Sequence, residues 1–118
     1  MIRVSVRVNG ILFKFLLDTG AHFTTINADI ADRMNLVQAG TKKVVGFGGE
    51  AQEVKIVVVD HFELGKQYMK GVFMLREPGG DLQLKLRDLD GILGMDILKD
   101  FIVTIDCKNK KASLKKSE

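Results

Sequence analysis

The chain has 118 residues, 46% of them hydrophobic and 28% charged, which is globular composition and one domain's worth of length, so positions 1–118 are read as a single domain with no low-complexity tract. A single Cys107 excludes an intrachain disulfide, and with only His22 and His61 beside it no Cys/His metal cluster can be assembled, so neither metal nor cofactor is expected. No apolar run approaches the ~18 residues of a membrane span, so a soluble protein is expected, and the lone thiol fits a reducing compartment, with the cytoplasm favoured.

Arg3 to Val8 alternates with period two, Asn9-Gly10 follows, and Ile11 to Leu17 is again extended and apolar. This predicts a β-hairpin with a type I′ turn, because Asn-Gly tolerates positive φ. Its second strand ends on Asp18, then passes Thr19 and Gly20 and resumes in the β-prone Thr24-Thr25-Ile26. A carboxylate held at the end of a strand is fixed by ladder hydrogen bonds, which suits it for chemistry better than one on a free loop. Asn27 is the expected N-cap of a short helix from Ala28 that ends near Asn35 or Leu36.

Gln38-Ala39-Gly40 leads to a strand at Lys42 to Val45, the glycine-rich segment Gly46-Phe47-Gly48-Gly49, and a strand from Gln52 to Val59. Together they predict a long hairpin with a glycine-rich tip. Gly46-x-Gly48-x-x-Ala51 nominally fits a dinucleotide fingerprint, but that fingerprint needs a following helix and Gln52 to Val59 is extended and β-branched. Phe62 to Lys66 reads as a turn, Tyr68 to Leu75 as a strand, Pro78 as its break, and Leu82 to Asp90 as a loop or weak strand. Gly91-Ile92-Leu93-Gly94 is a short buried run, Met95 to Phe101 has helical spacing, and Ile102 to Leu114 closes the chain as a hairpin. The fold class is mainly β, with one or two short helices.

The formal net charge is +3, and five lysines lie within Lys108 to Lys116. No aromatic residue is interleaved among them, so the segment is read as a solvated hairpin surface and no nucleic-acid partner is expected.

Leu16-Leu17-Asp18-Thr19-Gly20-Ala21 followed by Thr25-Ile26, the glycine-rich Val45 to Glu50, and the segment from Asp90 through Gly91-Ile92-Leu93-Gly94 to Leu98 together resemble the retropepsin-like aspartic proteases, above all their single-domain cellular and bacterial members. The resemblance covers nearly the whole chain. It implies a closed β-barrel or sandwich with a flap hairpin, and a water activated by two aspartates that share a proton. Only one Asp-Thr-Gly is present, so the second Asp18 is expected from another copy of the chain in a homodimer.

On the resemblance, Asp18 is the catalytic acid and base, Thr19 a tie across the dimer, Gly20 a point of close approach and Ala21 a substrate contact. Gly46, Phe47, Gly48 and Gly49 form the flap, and Ile92, Leu93 and Gly94 support the active-site loop. The implied activity is that of an aspartic endopeptidase acting on peptide or protein substrates, the alternative being a catalytically silent dimeric module that binds peptides or scaffolds a larger protein. Asp96 and Asp106 are read as structural, at a helix start and a hairpin turn, and His22 as a loop imidazole without a catalytic partner. Retroviral members place an extra strand before the first hairpin, whereas here the hairpin begins almost at Met1, so the dimer interface is expected mainly on the C-terminal hairpin.

Overall fold

The computed structural model describes residues 2–45, 50–77 and 88–117. Strands β1 (Ile2–Val8) and β2 (Ile11–Leu17) form the expected hairpin, in register from Ile2 opposite Leu17 to Val8 opposite Ile11. Its turn has Asn9 at φ 49° and Gly10 at φ 85°, the paired positive dihedrals of type I′. After β3 (Thr25–Ile26), Asn27 caps α1 (Ala28–Arg33), its Oδ1 accepting from the N–H of Asp29 at 2.8 Å and of Ile30 at 3.3 Å.

β4 (Val37–Val45) starts five residues before the expected Lys42, because a register irregularity between Gln38 and Gly40, with Gly40 at φ 138°, lets the strand run through a segment that reads as a connector. β5 (Ala51–Leu64) pairs with it from Val37 opposite Val58 to Val45 opposite Ala51, which is the stem of the expected hairpin. The tip residues Gly46, Phe47, Gly48 and Gly49 lie outside the described residues.

The expected turn at Phe62 to Lys66 is corrected by the structure: β5 continues through Leu64, and only Gly65-Lys66 turns into β6 (Gln67–Arg76). The buried side of β5 changes phase, from Val57 and Val59 to Phe62 and Leu64, so strict alternation fails where the strand continues. Gly71, at φ 62° in β6, lies beside this phase change. Of the expected loop from Leu82 to Asp90, residues 82–87 lie outside the described residues.

β7 (Gly91–Leu93) is followed by α2 (Met95–Leu98), shorter than the helix expected through Phe101. Hairpin pairing ends it: the backbone N–H of Ser117 donates to Asp100 O at 2.9 Å, and β8 (Phe101–Asp106) opens opposite β9 (Lys111–Lys116). At the β8–β9 turn the Asp106 carboxylate accepts from the side-chain amide of Asn109 at 2.8 Å and its backbone N–H at 3.2 Å, which holds the carboxyl below its usual range.

Strand order β1-β2-β7-β3-β6-β5 closes on itself because β5 also pairs with β1, with Val6 opposite Leu64 and Val8 opposite Phe62. The result is a closed six-stranded barrel with β4 outside β5, and with β8 and β9 as a separate two-stranded sheet. Val6, Val8, Phe15, Leu17, Val57, Val59, Phe62, Leu64, Met74 and Leu93 fill the core, joined by Ile30 of α1 and Leu98 of α2. Each such side chain contributes about 2 kcal/mol by leaving water. Arg76 ties the end of β6 to α1 with a two-pronged contact to Asp32, at 3.1 and 2.8 Å, and this guanidinium lowers the Asp32 pKa.

β7 can lie between β2 and β3 only because residue 91 has no side chain. A Cβ there would stand 2.6 Å from Phe15 Cζ and collide with the Thr25 carbonyl oxygen. Gly91→Ala is therefore expected to lower stability by roughly 1–3 kcal/mol, the usual cost of overpacking. Urea unfolding measures it, and an unchanged midpoint would show that β3 moves aside without cost.

Candidate active site

Asp18 follows directly on β2. Its N–H donates to Leu93 O at 3.1 Å, which extends the parallel β2–β7 pairing by one residue past Leu17 opposite Leu93. The loop then turns tightly: Ala21 N–H donates to Asp18 O at 3.2 Å, and Gly20 N–H donates to the Asp18 carboxylate Oδ1 at 2.9 Å. The carboxylate is thus oriented by its own loop, half-buried, with Thr19 and Gly20 exposed beside it. Gly20 is held to a small size by this arrangement, since a Cβ would sit 3.2 Å from that same Oδ1.

The loop rests on the corner between β7 and α2. Met95 N–H donates to Ala21 O at 2.7 Å and Asp96 N–H to His22 O at 3.2 Å, so carbonyls of the loop meet the first amides of the helix. Gly94 permits this approach, because a Cβ on it would stand 2.7 Å from the Phe23 carbonyl carbon and 3.0 Å from Ala21 O. Leu93 and Gly94, expected as support, are both in direct backbone contact with the loop or its end, and Ile92 lies opposite Thr25 in the β3–β7 pairing.

Two residues central to this corner escape a reading by local pattern. Thr24 is fully buried, and its hydroxyl donates to Asp96 Oδ1 at 2.7 Å while accepting from Gly94 N–H at 3.0 Å. Its backbone N–H donates to both oxygens of Asp96 at 3.0 Å. Asp96 does meet its own helix start, accepting from Ile97 N–H at 2.9 Å, but most of its bonds reach back to Thr24 at the end of the Asp18 loop. The only advance signal is a threonine among β-prone residues and an aspartate one place into a helix, which fits many unrelated arrangements.

His22 is exposed, its ring 6.3 Å from that of Phe23, and Cys107 is exposed in the β8–β9 turn. Among the described residues no group of three His, Cys, Asp or Glu side chains could hold a metal ion, and no helix is long and apolar enough to cross a membrane.

A closed barrel that holds Asp-Thr-Gly at the end of its second strand is the architecture of the retropepsin-like aspartic proteases. The chain belongs to the aspartyl protease family, whose model matches residues 4–97, and the retroviral aspartyl protease model matches residues 79–118. It is 29% identical over 112 residues to the UBA domain-containing protein Mud1 of Schizosaccharomyces pombe, an alignment covering 92% of this chain and 31% of that protein. It is 28% identical over 108 residues to Protein DDI1 homolog 2 of Homo sapiens, covering 92% of this chain and 26% of that one. The chain therefore spans less than a third of these curated relatives.

Among solved structures, a retropepsin-like aspartic protease from Rickettsia conorii aligns with TM-score 0.62 at 21% identity, covering 88% of this chain and 75% of that chain. The retroviral protease-like domain of Ddi1 from Leishmania major aligns with TM-score 0.60 at 21% identity, covering 97% and 87%.

Thr24→Val keeps the shape but leaves the buried Gly94 amide without its acceptor and removes a donor to Asp96. Stability is expected to fall by roughly 1–3 kcal/mol, and Thr24→Ser, which retains the hydroxyl, should recover most of it. Chemical denaturation of the two variants checks this; equal losses in both would assign the effect to packing of the methyl group.

Proposed function

We propose that the chain is a homodimeric aspartic endopeptidase in which Asp18 of each copy supplies one half of a catalytic pair. The observation that carries this reading is the placement of Asp18: a carboxylate fixed to the barrel through Leu93 O, aimed by Gly20 N–H, and flanked by exposed Thr19 and Gly20. The aspartates on either side of β7 are occupied structurally, Asp96 by Thr24 and Asp90 by the Lys14 backbone N–H, which donates to it at 2.8 Å. With one Asp-Thr-Gly per chain, the second reactive carboxylate comes from a second copy related by a twofold axis.

In that pair the two Asp18 side chains share one proton, because two adjacent carboxylates do not both ionise readily. The ionised member takes a proton from water as the water oxygen attacks the peptide carbonyl carbon, and the protonated member gives its proton to the carbonyl oxygen. Collapse of the tetrahedral intermediate returns a proton to the leaving nitrogen and breaks the C–N bond. Thr19 bonds across the axis, Gly20 allows the loops to meet, Ala21 borders the substrate, and Ile92, Leu93 and Gly94 hold the loop from below.

The β8–β9 hairpin is the proposed main contact between copies. Among the described residues its strands pair only with each other, and Ile102 and Ile105 are 56% and 45% exposed. Val103, Ala112 and Leu114 anchor the hairpin to the core, and by strand alternation Ile105 lies at the exposed margin of that side while Ile102 faces away from it.

Asp18→Asn is expected to lower kcat/KM on a peptide library by at least about 10²–10⁴-fold, the range of a lost acid–base group, while sedimentation still shows a dimer. A variant with near wild-type turnover would place the chemistry elsewhere, and a wild-type protein that binds peptides without cutting any would identify a silent binding module.

Activity per subunit is also expected to fall on dilution through the dimer dissociation range, since each chain holds half a site. A rate strictly proportional to enzyme concentration below that range contradicts a site shared by two chains.

A further inference from the structure

Beside the Asp18 loop lies an apolar cavity of about 370 Å³, a volume within the range of roughly 300–1,000 Å³ typical of ligand pockets. Phe23 and Thr24 of the loop form one wall, Ala39 and Lys42 of β4 another, and Ile56 of β5 with Phe73 and Leu75 of β6 the third. The third wall follows from strand register: Ile56 pairs with Leu75 and Val58 with Phe73, so Ile56, Phe73 and Leu75 lie on the sheet face opposite the buried Val57 and Met74. Phe23 and Phe73, 40% and 61% exposed, mark the open side. The Lys42 ammonium stands there, 4.4 Å from the centre of the Phe23 ring.

We propose that this cavity sets the sequence preference of the site: it takes a large apolar side chain of an extended peptide, and Lys42 pairs with a carboxylate two positions along that peptide. The proposal rests on the reading of the chain as a peptide-cleaving enzyme. An extended peptide sends residues i and i+2 to the same face, so a chain laid past the loop that carries Asp18 can fill the cavity with one side chain and bring the next on that face to Lys42.

Charge decides which side chain goes where. Asp96 lines the cavity, and its carboxylate is already used by Thr24 and by Ile97 N–H, so a second carboxylate seated against it would meet like charge. An apolar group enters there without that penalty. Lys42 faces an aromatic ring, and the described residues place no carboxylate in ion-pair contact with it. A carboxylate from the peptide is a stronger partner than the ring face, so Lys42 rewards an acid outside the cavity and disfavours a base.

The test uses a host peptide with one Phe, into which Glu, Gln or Lys is placed at each position in turn, plus a series with Phe changed to Ala. Binding is measured by fluorescence anisotropy on Asp18→Asn protein, which needs no chemistry, and cleavage is measured with the wild type. Phe is expected to bind about tenfold tighter than Ala, and Glu two positions away about tenfold tighter than Lys. Lys42→Glu in the Asp18→Asn background is expected to invert the Glu–Lys order and Lys42→Met to flatten it, with circular dichroism confirming that both fold.

Equal binding of Glu, Gln and Lys peptides, or an unchanged order in Lys42→Glu, overturns the proposal, as does the absence of any binding. Ordered binding without cleavage by the wild type supports the cavity assignment while refuting the enzymatic reading. Cleavage without the order does the reverse.

Discussion

The loop that carries Asp18 depends on one buried hydroxyl. Thr24 both gives a hydrogen bond to Asp96 and receives one from Gly94, and its backbone gives two more to the same carboxylate. Thr24 and Gly94 are buried and Asp96 partly so, and a buried polar group is either paired or costly. Asp18 inherits its position from this arrangement at one remove: the strand end fixes its backbone, and the β7–α2 corner fixes the loop that follows. Chemistry by a carboxylate needs that kind of support, because small displacements of a reacting group are expensive.

Much of this was legible in the sequence where the signal is local. The hairpin turn at Asn9-Gly10 and the cap at Asn27 follow from side-chain chemistry within a few residues, and both occur as expected. The strand that ends on Asp18 is equally local, since its apolar residues and the Asp-Thr-Gly break are contiguous. Of the element boundaries that differ, two have a shared cause. β5 runs on to Leu64 because its inward face changes phase as it passes from pairing with β4 to pairing with β1, and α2 stops at Leu98 because Asp100 and Phe101 are claimed by the terminal hairpin. Partners that set a boundary from elsewhere in the chain leave no periodic trace near it. Asp96 belongs to the same class: its position at a helix start is visible, its bond to Thr24 is not.

The cavity beside the loop joins support and recognition in the same residues. Thr24 and Asp96 form part of its lining while they hold the loop in place. The wall across from them comes from β5 and β6, whose buried side belongs to the barrel core. Side chains facing outward from those strands are free to vary without disturbing the core behind them. The loop side has no such freedom.

The parallel pairing of β2 with β7 has a further consequence, for the order of assembly. β2 is followed in the chain by β3, α1 and the long β4–β6 segments before its partner β7 appears. During synthesis from the N-terminus, the first hairpin can form early from contacts near in sequence. The loop after it has no floor until the ribosome has released the segment from Gly91 to Leu98, which carries β7, Gly94, Asp96 and α2. The loop that bears Asp18 is therefore among the last parts of the barrel to become ordered, and a nascent chain carries its aspartate long before it can hold it in place.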